Sequence, residues 1–303
     1  MNLITDNQSQ QHEMIYKRIR EIGKVFPEDL PNEMGRLYEK LLSNSPREGV
    51  ENIKDVAYGP DERNILDVYI KKGPSKTPAP ILVFFHGGGF ISGDKNLCKN
   101  IGYYFARNNI ITIIPSYRLA PKYKWPSGPE DIADVLIWIN LNAGKFGGDI
   151  KRIFLMGQSA GATHVANYLY FNEFHAGTKE DVAGAILMSG AFYDAKEISG
   201  PCTAYYGEDK HRYPAFSIID KIKNSKAPLF IMYAEFDPPE FDYQSILLFN
   251  AVYNQYKISP FIKRIINHNH ISEVMQFNTG DNSIGPDIVS FIDSLRGLHG
   301  IVQ

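Results

Sequence analysis

The sequence predicts an α/β fold built on a mostly parallel sheet, and three observations carry that expectation. From Pro80 onward, short strand-like runs (ILVFF, IITII, RIFLM, GAILM, PLFIMY and FIKRII) recur between longer stretches near 96–107, 130–142, 160–171, 239–256 and 285–296 that read as helices. Most of these runs are apolar throughout, as strands buried on both faces must be. Regular alternation of strand and helix then implies helices covering both faces of one sheet.

Ahead of this core, Met14, Ile15, Ile19, Ile22 and Phe26, then Met34, Leu37, Tyr38, Leu41 and Leu42, recur at three- and four-residue spacing between Gln11 and about Ser45. Two amphipathic helices are expected there, separated by PEDLP, whose Pro27 and Pro31 end one and start the next. After Pro46, IKDVAY and ILDVYI flank the turn-forming GPDERN, the signal of a strand hairpin. One stretch breaks the later alternation. Roughly forty residues between Ser189 and Pro228 are rich in turn formers and aromatics and weak in period, and long insertions of this kind tend to be lids or binding loops. Residues 1–45 and an insertion at about 190–227 are therefore read as two parts of a cap on a catalytic domain spanning 46–303.

Composition narrows the function classes. The 303 residues carry 32 basic and 34 acidic side chains, a net charge of −2, which leaves no basic excess with which to bind nucleic acid or an anionic membrane. No apolar run is long enough for a membrane span. The opening MNLITDNQSQQHEM lacks the basic start and continuous apolar core of a secretory signal, so a cytoplasmic location is expected. Cys98 and Cys202 stand alone, which argues against a zinc or redox motif; no cofactor and no metal is expected.

The chemistry concentrates in two glycine-rich turns. After the strand Arg152 to Met156 comes Gly157-Gln158-Ser159-Ala160-Gly161, followed by a helix-like ATHVANYLY. A G-x-S-x-G placed between strand and helix forces the serine into strained geometry, with glycines two residues either side leaving room for the crossing chain. Ser159 is the candidate nucleophile. Upstream, ILVFF runs into His86-Gly87-Gly88-Gly89-Phe90, where consecutive glycines let main chain approach a ligand. No G-K-[ST] follows, so a phosphate loop is not indicated. Gly88, Gly89 and the N–H of Ala160 are assigned to an oxyanion hole, with His86 and Gly87 as support for that loop.

HGGGF with ISGD, then Tyr117-Arg118-Leu119-Ala120-Pro121, then GQSAG together resemble the hormone-sensitive-lipase branch of the α/β-hydrolase esterases, over most of the chain after about residue 50. The resemblance implies an α/β-hydrolase fold with an eight-stranded, mostly parallel sheet, a helical cap, and hydrolysis of small carboxylic esters. The sequence departs from that pattern at Gln158 and Ser116, where Asp is usual, and around the histidine.

A serine nucleophile needs a base, and the base an acid to fix its tautomer, in the chain order Ser, Asp or Glu, His. Downstream of PLFIMY, Glu235 and Asp237 both lie past a strand's carboxyl end, the face where such sheets bind ligands. Asp237, followed by Pro238, matches the family position. The next strand ends in Asn267-His268-Asn269-His270-Ile271, and one of the two histidines is the expected base; the resemblance selects His270, which precedes an apolar residue. Two histidines alone do not make a metal site. His164 falls on the helix after the nucleophile, His12 and His299 near the termini, and His175 and His211 in loops. Arg118 and Asp131 are expected to pair and hold the loop behind the site.

The function expected is a serine carboxylesterase acting on a small-molecule, short-chain ester through an acyl-enzyme. Two alternatives stay open: an amide-type hydrolase such as a kynurenine formamidase, and a non-catalytic small-molecule receptor on the same scaffold. Dimerisation through an edge strand is possible for such a sheet.

Overall fold

The sheet forms where the sequence is most apolar. The structure, a computed structural model, describes residues 3–74, 77–175, 182–196 and 198–295. Among these, eight strands form one sheet: β1 (Val50–Ala57), β2 (Ile65–Lys71), β3 (Ala79–Phe85), β4 (Ile111–Pro115), β5 (Gly148–Gln158), β6 (Val182–Met188), β7 (Leu229–Ala234) and β8 (Phe261–Ile265). Their spatial order is β1-β2-β4-β3-β5-β6-β7-β8. β2 is antiparallel to both β1 and β4, and all pairings from β4 to β8 are parallel. The central strands β3 and β4 are buried at every residue, which is why their sequences show no alternation. β8 lies on the edge, and Phe261 and Ile262 there remain exposed.

Nine helices accompany the sheet among the described residues: α1 (Leu3–Ile22), α2 (Leu30–Ser43), α3 (Lys99–Arg107), α4 (Ser127–Asn142), α5 (Ala160–Tyr170), α6 (Thr203–Tyr206), α7 (Pro239–Tyr256), α8 (Ser272–Met275) and α9 (Gly285–Ser294). Ile132, Leu136, Val165 and Leu248 bring α4, α5 and α7 onto one face against Val83 and Leu155. Ile101, Phe105, Ile288 and Phe291 bring α3 and α9 onto the other, against Phe84 and Met156. The result is the helix–sheet–helix sandwich expected from the alternation of elements. No described helix is long and apolar enough to cross a membrane.

The two N-terminal helices form, with different limits. α1 begins at Leu3 rather than near Gln11 and ends at Ile22, closed by Gly23, whose N–H bonds to Ile19 O at 3.0 Å, so Pro27 is not its stop. Met14, placed by spacing on the apolar face, is 67% exposed, and Phe26 falls beyond the helix. The buried seam is instead Ile15, Ile19, Leu30, Met34, Tyr38 and Leu41, against which Phe236, Ile271 and Met275 pack. Those last three residues belong to the segments following β7 and β8. α1 is tied to the same region by polar contacts: Tyr16 donates to Asp281 Oδ2 at 2.5 Å, and His12 Nε2 lies 3.2 Å from Thr279 Oγ1. After Met188 the described chain forms only α6 and short 3₁₀ turns (Gly200–Cys202, Lys210–Phe216, Ile219–Asn224) before β7. His299, and the last residue of the helix expected over 285–296, lie outside the described residues.

Met34 is fully buried at the centre of the α1–α2 seam. Met34→Ala should therefore lower the unfolding free energy by about 2–4 kcal/mol, read from the urea midpoint at unchanged slope.

Candidate active site

The turn after β5 is shaped by crowding. A Cβ on Gly161 would lie 2.1 Å from the carbonyl oxygen of Phe85 at the end of β3, and one on Gly157 would lie 2.4 Å from the backbone of Gly161. Only hydrogen fits at both places, so the first turn of α5 presses directly against the sheet. The chain turns between the two glycines at Ser159, which takes φ 54° and ψ −121°. A non-glycine residue held there is strained, and such strain persists only where the surroundings over-determine it. The Ser159 N–H is fixed to Met188 O of β6 at 2.9 Å. Its side chain is half-buried, at the amino end of α5.

The glycine loop after β3 lies alongside. A Cβ on Gly87 would come within 3.1 Å of Ser159 Cβ. Gly88, at φ 127°, closes a tight turn in which its carbonyl accepts the N–H groups of Ile91 and Ser92, at 3.1 and 3.0 Å, and the Ser92 hydroxyl at 2.9 Å. The N–H groups of Gly88 and Gly89 donate to no other group among the described residues. His86 is buried beneath this loop, its Nδ1 2.7 Å from Gly87 O and its ring stacked on Tyr117 at 4.2 Å. Burial pushes the His86 imidazole down to about 4, so it is neutral at ordinary pH. Tyr117 in turn donates to His86 O at 2.7 Å.

Asp237 and His270 meet at the ends of β7 and β8. His270 Nδ1 is 2.9 Å from Asp237 Oδ1, and both side chains are buried. Asp237 Oδ2 accepts the backbone N–H of Ala234 at 2.7 Å and the Ser189 hydroxyl at 2.6 Å. The carboxylate therefore has donors on both oxygens. Phe241 and Phe26 pack on the His270 ring, at 4.2 and 5.5 Å between centroids. No hydrogen bond joins the Ser159 hydroxyl to the His270 imidazole.

The alternatives left by the sequence are occupied elsewhere. His268 turns toward Asp281, with Nε2 3.2 Å from Oδ2, and its Nδ1 lies 3.1 Å from Ser272 Oγ. Burial pushes the Asp281 carboxyl up, but the His268 hydrogen bond and charge outweigh it and hold it below the usual carboxylate range. Glu235 bonds to Arg264 at 3.0 Å and to the Asn267 N–H at 2.8 Å. Both residues brace the loop that carries His270. His164 is buried on α5, edge-on to Phe90, Tyr117 and Tyr205.

Three groups behind Asp237 went unassigned from sequence. Gln158 Nε2 donates to His270 O at 2.8 Å and to Glu273 Oε1 at 2.9 Å, and Ser189 Oγ lies 2.8 Å from Glu273 Oε2. Glu273 is completely buried; burial, then the charge of Asp237, push its carboxyl well above the usual range. Only Gln158 left a mark in the sequence, as a departure from Asp.

Arg118 and Asp131 join the loop after β4 to α4. Arg118 Nε donates to Asp131 Oδ1 and the Arg118 backbone N–H to Oδ2, both at 2.7 Å, while Nη2 reaches Glu130 at 3.0 Å. The Asp131 carboxylate is thus shared between the Arg118 side chain and its own main chain. Burial pushes the Asp131 carboxyl up to about 6, and the Arg118 contacts oppose this.

Beside Ala160, aromatic rings from the later insertion fill the space over the turn. Phe90 stacks on Tyr205 at 4.8 Å, and Tyr206, Phe216 and Phe192 continue the cluster at 5.1–6.3 Å. A separate cleft of about 530 Å³, lined by Tyr168, Asn224, Lys226 and Ala227, opens near the amino end of β6, a strand length from Ser159.

Ser159 at its strained strand-to-helix turn, the glycine loop alongside it and the buried Asp237–His270 pair thus all lie at the carboxyl ends of parallel strands of one α/β sheet. A family model of the alpha/beta hydrolase fold matches residues 82–243, more than half of the sequence, and the chain belongs to that family. Among curated proteins it is 38% identical, over 114 residues and 38% of its length, to a probable isoprenylcysteine alpha-carbonyl methylesterase of Oryza sativa subsp. japonica. It is 32% identical, over 135 residues and 37% of its length, to a 3-O-acetylpapaveroxine carboxylesterase of Papaver somniferum. The matches span 27% and 41% of those relatives' own lengths. The crystal structure of esterase B from Lactobacillus rhamnosis shares the fold, with a TM-score of 0.75 at 17% identity, covering 96% of this chain and 98% of that one.

Arg118→Met would leave the Asp131 carboxyl buried without its cation. The variant should lose about 1–3 kcal/mol in chemical denaturation, and Arg118→Lys should recover only part, because an ammonium cannot reproduce the planar guanidinium.

Proposed function

We propose that the chain is a serine carboxylesterase of the hormone-sensitive-lipase type, hydrolysing short-chain carboxylic esters through an acyl-enzyme. The observation that carries this reading is the strained Ser159 turn together with a buried His270–Asp237 pair at 2.9 Å, the His270 backbone being held at 2.8 Å by Gln158, the residue before Ser159. Ser159 Oγ attacks the ester carbonyl while His270 Nε2 takes its proton, and Asp237 holds the imidazole in the tautomer that leaves Nε2 free to accept. The tetrahedral oxyanion is received by the N–H groups of Gly88, Gly89 and Ala160, each such donor contributing about 10²–10³ in turnover. His270 then protonates the leaving alcohol, and water repeats the cycle on the acyl-enzyme, returning Ser159 and the acid.

Residues 1–45 and about 190–227 act as the cap. This is supported by the packing of α1 and α2 on the segments after β7 and β8, and by the aromatic cluster set against Ala160. The cluster is largely buried and ring-packed, and packing of that density beside Ala160 favours small acyl groups over long ones. The acetyl ester in the name of the Papaver somniferum relative is in keeping with that size.

Ser159→Ala should lower kcat by at least about 10⁴-fold on p-nitrophenyl butyrate, and the wild-type protein should be labelled at Ser159 by a fluorophosphonate. An unlabelled, inactive wild type would favour a receptor, and faster turnover of N-formylkynurenine than of short esters would favour a formamidase. On a series from acetate to laurate, kcat/KM should fall steeply beyond hexanoate, and Tyr206→Ala should move that limit to longer chains.

A further inference from the structure

Behind Asp237 lies a hydrogen-bond count that cannot be met by two carboxylates. Ser189 Oγ sits 2.6 Å from Asp237 Oδ2 and 2.8 Å from Glu273 Oε2. A hydroxyl has one proton to give, so it can satisfy only one of these contacts as a donor. The other must be a contact in which Ser189 Oγ accepts, and one carboxyl must carry the proton that it accepts. Two anions on one hydroxyl would set a bare oxygen against oxygen at hydrogen-bond distance, in a site closed to water.

The partners decide which carboxyl that is. Asp237 receives donors on both oxygens: His270 Nδ1 at 2.9 Å on Oδ1, and the Ala234 N–H at 2.7 Å on Oδ2 beside Ser189. It is built as an acceptor. Glu273 receives the Gln158 amide on Oε1, at 2.9 Å, and nothing but Ser189 on Oε2. No cation faces it. The groups around it are Gln158 from β5, Ser189 from the end of β6, Asp237 from the segment after β7, and the Tyr193 phenol, whose surroundings Glu273 also influences. The Gln158 nitrogen is fixed by two acceptors, His270 O and Glu273 Oε1, which leaves Oε1 as the carbonyl oxygen of an acid.

We infer that Glu273 is a positioning residue that works as an uncharged carboxylic acid, donating to Ser189 Oγ so that the Ser189 proton is aimed at Asp237. The chain of donors runs from Glu273 through Ser189 to Asp237, and meets there the donor from His270. Its effect is twofold. It anchors the carboxylate that orients the imidazole, and it does so without a second negative charge. A second anion would stabilise the imidazolium formed during attack and make it a poorer acid toward the leaving alcohol. A neutral acid kept in an enclosed site to donate one hydrogen bond is a known chemical strategy.

This rests on the proposed roles of Ser159, Asp237 and His270, so labelling of wild-type Ser159 by a fluorophosphonate is run first; failure there sinks the triad and leaves Glu273 without a catalytic partner. The direct test is Glu273→Gln, whose amide can donate to Ser189 and accept from Gln158 while carrying no charge. Its kcat/KM on p-nitrophenyl butyrate should stay close to wild type, with the acid limb of the pH profile unmoved. Glu273→Leu, which cannot donate, should lose about tenfold to a hundredfold. An acid limb in Glu273→Gln displaced downward by about one pH unit would mean that a negative charge had been removed, and would overturn the inference. Equal activity of the Leu and Gln variants would overturn it too. If neither variant folds, infrared spectra of the wild type decide: a carboxylic-acid C=O band must persist at mildly alkaline pH, where Asp131, pushed up to about 6, is ionised. Its absence refutes the protonated Glu273.

Discussion

The site depends on how closely the first turn of α5 approaches the end of β3. With the Gly161 backbone seated against Phe85 O, no side chain can intervene, and the chain must reverse within the single residue between strand and helix. Ser159 absorbs that reversal as a positive φ. The strain is offset by the apolar burial of α5 and the central strands, which are closed to solvent on both sides. The same approach brings the Gly87 loop against Ser159. One packing distance thus sets both the exposure of Ser159 and the position of the glycine backbone beside it.

Around that turn the parallel sheet places chemistry in order. β5, β6, β7 and β8 are neighbours in space as in sequence, and each delivers a polar group at its carboxyl end: Gln158 and Ser159, then Ser189, then Asp237, then His270 with Glu273. Lateral spacing between strands becomes hydrogen-bond spacing between side chains. A Gln at 158 fits this row better than an acid would, since its amide serves two acceptors and a third carboxyl beside Glu273 and Asp237 would be costly to bury.

Legibility in the sequence followed the range of the interaction. The sheet, the hairpin and the two glycine turns rest on local patterns and were readable, as was the proximity of Arg118 and Asp131. The choice between His268 and His270 came from resemblance; the physical reason is Asp281, thirteen residues beyond His268, which no local pattern links to it. Ser189 and Glu273 were invisible because each is one ordinary residue whose meaning comes from neighbouring strands. The limits of α1 are not legible because the polar residues from Thr5 to Glu13 show no apolar period, and because a glycine closes the helix before the proline. The short turns of the insertion have too few residues to show a period at all.

β8 has a single neighbouring strand, and the loop that trails it carries His270 and the acid behind it. Edge elements open at lower free energy than a buried centre. A fluctuation that peels β8 from β7 would carry away His270 while leaving the Ser159 turn, set among β3, β5 and β6, intact. Separation of Ser159 from His270 on heating is therefore a different quantity from loss of fold, because the edge strand can leave while the sheet centre stays packed.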